Sequence, residues 1–162
     1  MNRKGLSMKR LTITLAILSF LLAPVAAIAA GSCTVSRDQL SYDRKVVVGK
    51  IVCVGDSEDG SVPDTEITAD MISTGDGKNY WHGGFYLYDL WVVVGATAPD
   101  AADITITDDM GRTLYTETGI IPTSGTADGA VVPKNVVSPL TFAVDNQDTA
   151  DATYTIYFVL AR

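Results

Sequence analysis

The sequence predicts an all-β protein: a single antiparallel β-sandwich, jelly-roll or immunoglobulin-like, of about seven or eight strands behind a signal peptide. Three observations predict it. Past residue 30 the chain is a series of short β-prone runs separated by clusters of Gly, Pro, Asp and Asn. No stretch carries apolar residues at the 3.6-residue spacing of an amphipathic helix. Alternation is strict in the runs that matter most: Ile104 and Ile106 oppose Asp103, Thr105 and Thr107, while Tyr154, Ile156, Phe158 and Leu160 share one face.

The N-terminal 30 residues stand apart. Arg3, Lys4, Lys9 and Arg10 form a positive region, residues 11 to 22 are apolar, and Ala27-Ile28-Ala29 supplies small residues for cleavage. Met8 is an alternative start with the same layout behind it. The apolar run ends before Pro24, short of the roughly 20 residues a membrane span needs. Cleavage after Ala30 leaves residues 31–162, expected as one domain whose first 15 residues form an N-terminal arm.

The elements follow in order. Residues 46 to 54 are the first strong strand, GDSEDGSVPD is an acidic loop, and residues 65 to 72 make a weaker strand before the turn STGDGKN. Residues 80 to 94 form one long strand, or a hairpin hinged at Gly83-Gly84. A strand over 102 to 107, the turn Asp108-Asp109-Met110-Gly111 and a return strand over 112 to 118 come next. Residues 121 to 130 read as a long loop, and two strands over 140 to 144 and 154 to 160 close the chain around DNQDTAD.

Charge narrows the function classes. The whole chain has 12 Lys and Arg against 19 Asp and Glu; loss of four basic residues with the signal peptide leaves a net charge of −11. Such a field opposes phosphate backbones and anionic membranes, so nucleic acid is not an expected partner. The two cysteines, Cys33 and Cys53, suit a disulfide in an exported chain. Two other fates stay open: Ala30-Gly31-Ser32-Cys33 has a lipobox-like layout that would lipidate Cys33, or both thiols stay free.

Chemistry is sparse. His82 is the only histidine, neither HExxH nor GxSxG occurs, and no zinc site of ordinary composition can be assembled, so no catalytic residue, metal or cofactor is expected. Asp56, Glu58 and Asp59 in GDSEDG are a weak calcium candidate without the spacing of an EF-hand. The densest feature is YWHGGFYLYDLW. At a period of two, Trp81, Phe85, Leu87, Asp89 and Trp91 fall on one face, expected to be core. Tyr80, His82, Tyr86, Tyr88 and Leu90 fall on the other, which is either plain sheet packing against the protein's own second sheet or the candidate interaction face for a protein or a carbohydrate.

The series GGFYLYDLWVVVGATAPDAADITITDDMGRTL, with the closing PLTFAVDNQDTADATYTIYFVL, resembles small β-sandwich proteins encoded among bacteriophage structural genes. The likeness covers residues 65–160 and implies a sandwich fold with a non-enzymatic, assembly-related role. The chain is also similar, more distantly, to exported pilin subunits of the chaperone-usher class in size, cysteine pair and alternating final strand. That likeness implies strand exchange between subunits. The expected protein is therefore exported (extracellular, cell-surface or periplasmic), a structural or interaction module that binds itself or a surface partner, plausible as a homo-oligomer. A carbohydrate- or receptor-binding sandwich is the alternative.

Overall fold

The computed structural model of the protein describes residues 30–40, 45–67, 84–137 and 139–162. They form ten strands and no helix: β1 (Ser32–Leu40), β2 (Val46–Val54), β3 (Thr65–Ile67), β4 (Phe85–Val94), β5 (Ala102–Asp108), β6 (Thr113–Ile121), β7 (Thr126–Gly129), β8 (Lys134–Val136), β9 (Leu140–Asp145) and β10 (Thr153–Ala161). The first sheet runs β1-β2-β10-β4-β7, with β8 also on β4, and the second runs β3-β9-β5-β6. All pairings are antiparallel. From β2 onward the chain passes back and forth between the sheets, which is the double Greek-key order of a jelly roll.

The strand count exceeds the expected seven or eight for identifiable reasons. Residues 31 to 45 hold a strand, β1, rather than a free arm: its Ser and Thr alternate outward while Cys33 and Val35 turn toward the core. The loop expected over 121 to 130 contains β7, which pairs Thr126 to Gly129 with Val93 to Leu90 of β4 despite its weak β propensity. Tertiary pairing overrides local preference in both places. The strands expected over 46 to 54, 102 to 107, 140 to 144 and 154 to 160 lie where the alternation puts them. The described part of the weaker strand is β3; residues 68–83 lie outside the described residues.

One core fills the space between the sheets. Ile51 from β2, Phe85, Leu87, Leu90 and Val92 from β4, and Ile156, Phe158 and Leu160 from β10 meet Ile104, Ile106, Leu140 and Phe142 of the second sheet. Phe142 and Phe158 touch across the gap, ring centroids 5.2 Å apart. Gly49 makes room for that contact: a Cβ there would lie 2.0 Å from Cζ of Phe158. A glycine within a strand thus marks a ring seated on backbone.

Cys33 and Cys53 are directly opposed on β1 and β2 and form a disulfide, with Cα atoms 4.1 Å apart. The bond anchors the edge strand and favours an oxidising compartment over the cytosol. Closing its 20-residue separation contributes on the order of 3 kcal/mol.

Candidate interaction face

The alternation that buries one side of β2, β10 and β4 turns the other side outward. On β2 the outward residues are Val46, Val48, Lys50, Val52 and Val54; on β10 they are Thr153, Thr155, Tyr157, Val159 and Ala161. Register sets them in rows. One row reads Thr34, Val52, Thr155, Val93, Thr126 across five strands, and the next reads Ser36, Lys50, Tyr157, Trp91, Asp128. Val52 is 39% exposed, Tyr86 43% and Tyr88 54%. For so apolar a surface these are large exposures.

The middle row is a stacked column. Trp91 and Tyr157 lie face to face, centroids 5.0 Å apart and planes 6° from parallel. The Lys50 ammonium stands 5.8 Å from the centroid of Tyr157, within cation–π range. Each ring therefore covers one face of the other.

Trp91 reaches this column through a β-bulge, and here the expected face assignment is corrected. Strict alternation places Trp91 and Asp89 on the core face with Phe85 and Leu87, and Leu90 on the outer face. Opposite β10, however, Val159 and Leu160 pair with Asp89 and Leu87, which leaves Tyr88 without a partner in the register. The extra residue reverses the parity of the strand. Before the bulge Phe85 and Leu87 are buried; after it Leu90 and Val92 are, while Asp89, Trp91 and Val93 turn outward. Asp89 Oδ1 accepts a hydrogen bond from the Leu90 amide at 2.9 Å, steadying the turn of the backbone.

Of the four expected interaction residues, Tyr86 and Tyr88 are exposed on this face, and Tyr80 and His82 lie outside the described residues, as does Trp81. Sequence reasoning missed Lys50 and Tyr157 and placed Trp91 on the core face. The available signal was the apolar character of both alternating sets in VVVGKIVCV and TYTIYFVLA, a pattern usual for strands buried on both sides.

The remaining candidates have structural roles. Asp56 Oδ1 accepts the Glu58 amide at 2.7 Å, and Asp59 Oδ1 accepts the Ser61 amide at 2.9 Å. The Ser61 hydrogen bonds hold the Asp59 carboxyl below its ordinary value. The acidic loop spends its oxygens on its own turns, and among the described residues no group of three or more His, Cys, Asp or Glu is placed to hold a metal ion. In the turn after β5, Asp108 is buried and accepts hydrogen bonds from the amides of Met110 and Arg112 and from Arg112 Nε at 2.7 Å. Burial alone would raise its carboxyl, but the Arg112 amide, guanidinium and charge outweigh that and hold it below the usual range. Arg112 also donates to the Asn135 carbonyl at 3.3 Å, tying this turn to β8.

A shallow cavity of about 320 Å³ lies between β6 and residues 130 to 134. Leu114, Tyr115, Val132 and Lys134 are among its lining, which includes no carboxylate, histidine or cysteine. Lys134 Nζ donates to the Thr113 carbonyl, and the Tyr115 hydroxyl donates to Glu117 Oε2, which also accepts the Ala130 amide. Burial first, then this carboxylate, raises the Tyr115 phenol well above its ordinary value. The chain matches no protein-family model and no curated protein.

Proposed function

We propose that the protein is an exported, non-enzymatic interaction module that binds a protein partner through the outer face of its β1-β2-β10-β4-β7 sheet. The observation that carries the reading is the pair of exposed columns flanking β10 on an otherwise acidic chain: Val46, Val52 and Val54 on β2, and Tyr86, Tyr88 and Val93 on β4. Contiguous exposed apolar surface is uncommon on monomeric soluble proteins and marks contact sites. The charge, apolar run and small residues of the first 30 positions support export, and so does the disulfide. The jelly-roll order carries no assignment by itself.

A carbohydrate platform draws less support. A sugar ring stacks on an open aromatic face, whereas Trp91 and Tyr157 cover each other. The test is site-specific photocrosslinking in the producing cell, with a benzophenone side chain at position 52 or 88 and a control at Met110, an exposed apolar residue in the turn after β5. Adducts to a protein from 52 and 88 but not from 110 are expected. Equal yields at all three positions, or adducts only within the same chain, would overturn the reading.

A further inference from the structure

Resting on that reading of the face, we propose that its partner is a second copy of this chain, packed sheet to sheet about a two-fold axis that runs along β10. The face is self-complementary about that axis. Rotation lays the valine column of β2 over the aromatic column of β4 from the other copy, and the reverse, with β10 over β10. Row by row, Val46 then meets Tyr86, Val48 meets Asp89, Lys50 meets Trp91 and Val52 meets Val93. Aligned sheets pack in this way within sandwiches themselves.

Charge follows the same symmetry. Lys50 is the one cation among the outward residues of β2, β10 and β4, and its recorded partner is the Tyr157 ring, not a carboxylate. The anions of the middle rows are Asp89 and Asp128, on the opposite side of β10. The rotation sets each Lys50 over Trp91 of the other copy, with Asp89 and Asp128 as its immediate neighbours. Two copies of a chain at net −7, or −11 once the first 30 residues are removed, would otherwise repel, so an interface has to lie where acid is scarce and matched by base.

Area agrees. Four strands of nine or ten residues and the four-residue β7, about 4.8 Å apart, span roughly 600 Å² in plan before side-chain relief. A standard stable interface buries about 800 Å² per partner. The edge of the sheet is a poorer meeting point: β1 is bulged between Arg37 and Gln39, carries charge there, and is fastened by the disulfide.

Sedimentation velocity over a concentration series, on the protein as released by its producing cells, tests the proposal. Concentration-dependent dimers are expected. Lys50→Glu and Asp89→Lys should each weaken dimerisation by about tenfold or more, and the double variant should recover most of the loss. Tyr88→Ser, which changes no charge, should also weaken it. Near-ultraviolet circular dichroism confirms that each variant keeps its packing. Dimers indifferent to all of these changes overturn the geometry. A strict monomer that still gives face-specific crosslinks to a different protein overturns the second copy as partner while the face reading stands; a monomer without such crosslinks overturns both.

Discussion

The outer face of the β3-β9-β5-β6 sheet carries Thr105 and Thr107 of β5, Thr141 and Asp145 of β9, Thr116 of β6 and Glu66 of β3, and Thr105 shares a hydroxyl contact of 3.2 Å with Thr116. The outer face of its companion carries valine, tyrosine and tryptophan at the equivalent alternating positions. Both sheets cover one shared core, so the same fold tolerates either surface. Threonine satisfies the β propensity of an outward position without apolar cost. The valine and aromatic choice on one sheet is therefore not demanded by folding.

Four measurements would break or sharpen this contrast. The largest effect should come from the inner side: Phe158→Ala removes a ring packed on Gly49 and Phe142 and is expected to cost about 3 to 5 kcal/mol in chemical denaturation. A loss below about 1 kcal/mol would mean that the sheets are not held by this core. Asp108→Asn should cost about 2 kcal/mol at neutral pH through its charged hydrogen bonds. Because the folded carboxyl is depressed, its contribution is present above the unfolded value near pH 4 and fades as pH falls through the lower folded value. The deficit of the variant should accordingly shrink as pH falls below about 4, and a constant deficit would contradict the assignment.

Tyr154→Phe should have a smaller effect of opposite sign. The phenol is buried on β10 and its hydroxyl has no hydrogen-bond partner among the described residues. Removing it should leave stability unchanged or raise it by up to about 1 kcal/mol. Burial holds the phenol above its ordinary value, so the stability linked to its neutral form is present below about pH 10 and is lost as pH rises further. Wild type should weaken more than the phenylalanine variant in that range; identical alkaline limbs would count against it.

The smallest effect on folding should come from Val52→Thr with Val93→Thr, which turns the row Thr34, Val52, Thr155, Val93, Thr126 into threonine throughout, as on the other sheet. Each substitution should shift stability by no more than about 0.5 kcal/mol, while self-association falls. A loss comparable to that of Phe158→Ala would show that the outer face serves the fold after all.

Much of this architecture was legible in the residues. Strands with one wet side, such as β5 and β9, announce themselves because Ile104 and Ile106, or Leu140 and Phe142, alternate with threonine. What escaped depends on partners far away in sequence. β7 is a strand because β4 offers it a ladder, and its TADG carries almost no local signal. β1 was hidden by a polar outward set proper to an edge. A period of two puts Tyr86 and Tyr88 on one face without saying whether it looks outward, and it misplaces Trp91, because it cannot reveal where a strand gains an unpaired residue.

Tyr88 has a consequence for how this gene can change. Substitution there alters one exposed ring, but loss of its codon would remove the half-step between the two registers of β4. Leu90 and Val92 would then be driven toward solvent and Trp91 toward the core, or Phe85 and Leu87 would be expelled instead. Length at this one position is held by the fold itself and identity only by the outer face, so changes in number should be the rarer of the two.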